Sequence, residues 1–331
     1  MVIQIGEEPQ SQERGLSTLF DWTILEEVVK IAAGGSLPES IQGTPCIAVG
    51  FSDWNERVPE GRRLLVREAN ELSLLEIVQL PQRLNVGGLL RERQAIYGDV
   101  LVSLGGGPGV EHLARLYQQM HQPVIPLDLA LKTGKTSASE RLNVEAMENP
   151  SSFFEFDSPR RAAAALSTLS LKARPGIGEF ASRFTSFVTG LSAPRAFLAH
   201  LLNPESADYS AVVNFFDGVV SRVLAESGFS TFDPGKDASG EPFLNVEVFR
   251  MIQASSMIIV DLTRLRPNCL LELGFALGQQ KKVIVTAVRG TKLPFDAEAL
   301  PCHFWQKGIR EDRRRTDFKK FVTSNVNRRP I

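Results

Sequence analysis

The sequence predicts an α/β protein built from two Rossmann-like or flavodoxin-like three-layer domains, each with a mainly parallel sheet. Three observations carry this expectation. Short apolar runs such as Val100 to Leu104, Met257 to Val260 and Lys282 to Val288 lack polar alternation, as strands covered on both faces do. Stretches with helical periodicity, such as Cys269 to Gln280, separate them. Glycine and polar residues cluster directly after the strand ends, where sheets of this kind collect ligands. At 331 residues the chain is long enough for two domains of ordinary size.

Composition excludes several classes of function. With 37 Lys and Arg against 38 Asp and Glu, the formal charge of -1 gives no global attraction to nucleic acid or to an anionic membrane. Direct nucleic-acid binding and membrane association are therefore not expected. Cys46, Cys269 and Cys302 are far apart and suit a reducing compartment, and His112, His121, His200 and His303 are too scattered for a zinc site. No apolar run reaches membrane-spanning length and the first residues lack a signal-peptide layout, so a cytoplasmic protein is expected.

In chain order, Met1 to Gly15 reads as a strand plus loop or a loose arm. Phe20 to Ala32 is an amphipathic helix stopped by Gly34-Gly35, and Cys46 to Phe51 is a strand running into Trp54. Arg62 to Leu75 is helical, with a further strand at Val78 and Leu80. Leu90 to Gly98 is a helix, Val100 to Leu104 a buried strand, and Gly105-Gly106-Gly107-Pro108-Gly109 leads into the helix Val110 to Met120. Such a turn presents open backbone N–H groups at a helix N-terminus, a cradle for phosphate; a tight turn without a ligand is the alternative. It is neither the dinucleotide fingerprint nor a P-loop. Lys132 to Ser137 is a polar, basic loop, Phe153 to Phe156 a short strand or packed loop, and Pro159 to Leu171 an alanine-rich helix. The predicted divisions are residues 1–175, a linker or bridging helix over 176–190, and residues 191–331.

The second half opens with a strand over Arg195 to Leu201, then the helix Val212 to Ala225 ending near Gly228, and a strand Phe229 to Phe232 that delivers Asp233. Glu241 to Ala254 is a helix feeding the strand Met257 to Val260, which ends at Asp261-Leu262-Thr263. After a proline loop containing Asn268, the next helix carries Glu272 between Leu271 and Leu273. In a closed pocket this carboxylate suits a nucleophile or general base on a sugar carbon, or an anchor for ribose hydroxyls; in the open it is a plain solvent-facing glutamate. Asp233 or Asp237 is placed for hydroxyl recognition, and Tyr209 lies either over a base or at the bare surface. Ala299 to Trp305 is an edge segment. The basic tail is expected to pack Phe318, Phe321 and Val322 inward and to leave its charges in solvent.

Two resemblances sharpen these readings. An arginine in the helix before a strand, followed by a Gly-Gly-x-Gly turn, resembles the SLOG superfamily of lysine-decarboxylase-like proteins, phosphoribohydrolases and DNA-processing proteins. Its signature continues Thr-x-x-Glu; here Val110 replaces the threonine and Leu113 stands at the glutamate. Glu111 lies two positions early, about 200 degrees around the helix. The resemblance implies a nucleotide-binding domain without hydrolysis, holding phosphate with Arg93, Gly105, Gly106, Gly107 and Gly109. Asp261-Leu262-Thr263, Arg266-Pro267-Asn268 and Leu271-Glu272-Leu273-Gly274-Phe275-Ala276 resemble the nucleoside 2-deoxyribosyltransferase superfamily and its TIR-like bacterial relatives, over Ala193 to Trp305.

That likeness implies N-glycosidic cleavage with Glu272 and Asp261 as the catalytic carboxylates and Asp233, Asn268, Thr263 and Tyr209 binding the substrate. NAD or another nucleotide is implied as substrate or ligand. No cofactor or metal is required, and a homo-oligomer acting in bacterial antiviral defence fits the same relatives. The alternative is a module that binds nucleotides without turnover and changes its oligomeric state.

Overall fold

The computed structural model describes residues 1–4, 20–37, 46–81, 87–129, 136–156, 159–172, 174–237 and 244–326. The chain divides into two compact units, Met1–Thr189 and Gly190–Ile331. Each is an α/β layer structure with parallel strands, as the apolar runs require.

The first unit runs β1 (Val2–Gln4), α1 (Asp21–Ala33), β2 (Cys46–Phe51), α2 (Trp54–Arg57), α3 (Arg63–Glu71), β3 (Leu75–Leu80), α4 (Gly87–Tyr97), β4 (Leu101–Leu104), α5 (Pro108–Gln119), β5 (Val124–Leu127), α6 (Ala138–Glu148), α7 (Pro159–Thr168) and α8 (Ile177–Gly190). Strands β1, β2 and β3 form one parallel ladder, and β4 pairs with β5 in another. Helix α1 turns Trp22, Leu25 and Val29 onto Ile3, Ala48, Leu65 and Ala69, and it ends where Gly35 takes the left-handed conformation, φ 67°. The 176–190 segment is helical, and Phe187 of α8 meets Phe154 and Phe156 edge-on at 5.1 and 5.2 Å. Most of the basic loop at Lys132 and most of the Met1 to Gly15 arm lie outside the described residues.

The second unit runs β6 (Arg195–Ala199), α9 (Tyr209–Phe215), α10 (Ser221–Glu226), β7 (Ser230–Phe232), α11 (Pro234–Asp237), α12 (Leu244–Gln253), β8 (Met257–Asp261), α13 (Pro267–Gly278), β9 (Lys282–Val288), α14 (Phe295–Glu298), β10 (Cys302–Trp305) and α15 (Glu311–Val326). Its sheet is entirely parallel in the order β10-β9-β8-β6-β7. One face packs against α9, α10 and α15, with Phe215, Val223, Phe318 and Val322 buried; the other packs against α12 and α13 through Ile252, Cys269, Leu273 and Ala276. Between α9 and α10 the helix widens into a π-helical turn, Phe216–Val220.

The inward placement of Phe318 and Val322 accounts for the amphipathic α15, whose Arg313, Lys319 and Lys320 are exposed while Arg314 and Arg315 are half-buried. Phe215 is the aromatic centre of this face: it stacks on Trp305 at 4.5 Å and meets Phe318 edge-on at 5.8 Å. Phe215→Ala is expected to destabilise the second unit by about 3–5 kcal/mol, read as earlier urea unfolding of the β8 and β9 amides by hydrogen exchange.

Candidate active site

The order of the second sheet creates the site. The chain steps from β6 to β7 on one side and returns to β8 on the other, so the crevice outside the carboxyl ends of β6 and β8 is a topological switch point. His200 follows β6, Asp233 follows β7 and Asp261 closes β8, which brings three polar residues to one end of the sheet. Helix α13 then carries Glu272 over the same end, where the charges of His200 and Arg266 act on it.

Glu272 is half-buried, and loss of water pushes its carboxyl up to about 7, against the pull of the Arg266 and His200 charges. The segment before α13 is fixed by an uncommon backbone: Leu265 sits in the left-handed region at φ 47°. Its N–H is anchored to Leu262 O at 3.1 Å, and Arg266 then enters the helix in extended conformation as its N-cap.

Asp261 is only 4% exposed, and both of its oxygens are taken by the protein. Oδ1 accepts from Thr263 N–H at 3.0 Å, and Oδ2 accepts from Thr286 Oγ1 at 2.9 Å and Trp305 Nε1 at 3.3 Å. Burial raises its pKa against those hydrogen bonds. Thr263 is similarly engaged, its Oγ1 accepting from Val288 N–H at 3.0 Å. These two residues lock the ends of β8, β9 and β10 together.

Asp233, 5% exposed, accepts Gly235 N–H at 2.9 Å on Oδ1 and faces His200 Nε2 at 3.0 Å with Oδ2. Burial acts to raise its pKa, but the His200 hydrogen bond and charge, the Gly235 N–H and Lys236 together hold it below the usual carboxylate range. Asn268 is exposed in the first turn of α13. Tyr209 opens α9 half-buried and packs on the apolar core. The preceding Asp208 is buried between Arg264 and Lys307, and hydrogen bonding to Lys307, ahead of Arg264, lowers its pKa despite burial. Desolvation, with the Glu272 and Asp261 charges, pushes the Cys269 thiol up to about 12, so the nearby sulfur is no thiolate nucleophile.

In the first unit the glycine turn is rigid. Gly105 and Gly106 adopt φ 68° and 77°, and a Cβ at Gly106 would lie 2.3 Å from Val110 Cγ2. Their carbonyls accept Ser139 N–H and Ala138 N–H at 2.9 and 3.0 Å, so the trans peptide N–H groups that follow point away from α6. Ser137 caps that helix in a capping box with Glu140. The arginine at the turn is Arg91: its guanidinium would stand 3.2 Å from a Cβ on Gly109, and its Nε donates to His112 Nδ1 at 3.0 Å. Arg93 is exposed. Glu111 is ion-paired with Arg141 at 2.9 Å.

Residues 1–187 match the family model described as ATP nucleosidase Cap17-like, N-terminal. The chain belongs to this family. No curated protein matches it. Among solved structures, a CMP N-glycosidase from Clostridium botulinum matches at 14% identity, covering 40% of this chain and 98% of that one with a TM-score of 0.27. The TIR domain of a Toll-related receptor from Hydra magnipapillata matches at 16% identity, 40% and 97% coverage and a TM-score of 0.30.

Sequence reasoning gave no role to Arg266, Arg91 or His112, and took His200 only as the first residue of a loop bordering the site. The available signal for His200 was its position directly after an apolar strand. For Arg91 it was helix register, because residues two apart face different sides. Among the described residues no group of three or more His, Cys, Asp and Glu side chains is placed to hold a metal, and no helix is long and apolar enough to cross a membrane.

The raised Glu272 carboxyl has a consequence for stability. Folding favours its protonated form, so no penalty exists below the ordinary glutamate value, and the penalty grows as pH rises through about 7. Glu272→Gln is therefore expected to match the wild type in stability near pH 4 and to exceed it by about 1–3 kcal/mol at pH 8, measured by denaturant unfolding at both pH values.

Proposed function

We propose that the second unit cleaves an N-glycosidic bond in NAD or a related nucleotide, and that the first unit binds a nucleotide without hydrolysing it. The observation that carries this reading is Glu272, a desolvated carboxylate at the switch-point end of a parallel sheet, on which the Arg266 and His200 charges act. The family description names an ATP nucleosidase, which supports a nucleotide as substrate or ligand.

In this mechanism the C1′–N bond breaks and its electron pair leaves with the base. With a pyridinium base the leaving group departs neutral and needs no proton donor. The ionised Glu272 captures or stabilises the oxocarbenium-like C1′; water then attacks C1′, any Glu272–C1′ bond breaks with its electron pair returning to the carboxylate, and the water's proton passes to solvent. Asn268, exposed in the first turn of α13, would meet a ribose hydroxyl, whereas Asp233, its oxygens taken by Gly235 and His200, would act through His200 and not on the sugar. Asp261 and Thr263 act from behind, by fixing the strand ends. In the first unit, Gly105 to Gly109 with Arg91 would hold phosphate, while Leu113 and the ion-paired Glu111 leave the turn without a hydrolytic carboxylate. Such a pair of units suits a nucleotide-sensing protein of antiviral defence that works as an oligomer.

A second reading, binding without turnover and a ligand-driven change of oligomeric state, draws on Asp261. Its oxygens are both occupied by protein donors and offer nothing to a ribose.

Mass spectrometry of a mixture of NAD, ATP and deoxynucleosides, incubated with the protein with and without cell extract as a source of activator, separates the readings. Release of a free base is expected from wild type, with Glu272→Gln slower by at least about a thousand-fold; base release by neither protein supports the binding module. Nucleotide co-purifying with the first unit's site is expected to be lost in Arg91→Ala and kept in Arg93→Ala. Equal retention by both variants would remove Arg91 from the phosphate site.

A further inference from the structure

His200 is only 5% exposed, and its two ring nitrogens both face oxygen acceptors. Nε2 stands 3.0 Å from Asp233 Oδ2 and Nδ1 3.2 Å from Leu201 O. A neutral imidazole carries one N–H, so it would satisfy one of these oxygens and turn a lone pair toward the other; the imidazolium satisfies both. A buried cation also needs a counter-charge and a polarisable neighbour. Asp233 provides the first, itself fixed by Gly235 N–H at 2.9 Å and by its own N–H donating to Asp237 Oδ2 at 2.7 Å. The ring of Phe216, 4.5 Å away and in the π-helical turn, provides the second.

We propose that His200 and Asp233 form a positioning pair that fixes an imidazolium at the same end of the sheet as Glu272 and so readies that carboxylate to act on the sugar carbon. The proposal rests on the glycosidase reading of the site. His200 does not itself transfer a proton, because both of its N–H groups are committed to the protein. Its effect is electrostatic: inside a poorly hydrated crevice a fixed positive charge opposes the desolvation that drives Glu272 toward its neutral form. The other charged groups around the pair are Arg266, which acts on Glu272 from the loop before α13, Lys236, 3.7 Å from Asp233 Oδ2, and Asp217, which is ion-paired with Lys236. Lys236 is exposed and has its own carboxylate, so His200 is the buried member of the set.

The test needs no substrate. In full-length protein labelled at the glutamate side-chain carboxyl carbon, the Glu272 resonance is assigned by its loss in Glu272→Gln and followed through a pH titration. His200→Gln keeps a donor toward Asp233 but removes the charge, and it is expected to move the Glu272 midpoint up by at least about half a pH unit; Asp233→Asn is expected to move it the same way. Unchanged midpoints in both folded variants would overturn the proposal. In the unmodified protein, nitrogen-15 shifts of His200 at neutral pH should report protons on both ring nitrogens, whereas one protonated and one bare nitrogen would overturn it without any variant. If base release is active, its acid limb should shift in parallel with the Glu272 midpoint. Midpoint shifts in a protein that releases no base would uphold the pair and remove the glycosidase reading instead.

Discussion

The second unit depends on the buried carboxylate of Asp261. A carboxylate this far from water is tolerated only when its lone pairs are met by donors. The donors come from three directions: the Thr263 N–H just after its own strand, the Thr286 hydroxyl on β9 and the Trp305 indole on β10. Trp305 in turn stacks on Phe215, whose neighbour Phe216 lies against His200. One fully hydrogen-bonded carboxyl group thus ties the sheet's edge, its central strand ends and the helix beneath them to the histidine at the mouth of the crevice.

The geometry divides labour among the carboxylates at this end of the sheet. Asp261 is occupied and structural. Asp233 is buried but charge-compensated, and it is held below its usual range by His200, Gly235 and Lys236 against the cost of burial. Glu272 is half-buried, receives only longer-range help from Arg266 and His200, and rises to about 7. Groups of one chemical type are driven apart in proton affinity by their neighbours, the arrangement expected where one of them is to react and the others to support it.

Much of the fold was legible in the sequence because parallel strands covered on both faces must be continuously apolar, and Met257 to Val260 and Lys282 to Val288 are. The strand ends were legible too, since Asp261 ends the first of these runs abruptly and Asp233 ends Phe229 to Phe232. What could not be read was which way each polar group turns. Asp261 reads as a catalytic carboxylate until its cross-strand partner Thr286 and the more distant Trp305 are in place, and those contacts span 25 and 44 residues. Arg93 matches a motif position, but α4 buries Leu90 and Gln94 and thereby brings Arg91 to Gly109. His200 was marked locally only by its place after an apolar strand; its meaning comes from Asp233, just after a strand that pairs with its own across intervening helices.

A crystal structure of Glu272→Gln bearing unhydrolysed NAD decides whether Glu272 meets the anomeric carbon of a nucleotide at the β6 and β8 strand ends. The nicotinamide ribose is expected in that crevice, with C1′ within about 3.5 Å of the side-chain carboxamide at position 272. A dinucleotide seated with its ribose away from α13, or bound at the glycine turn of the first unit while the crevice of the second stays empty, would contradict it.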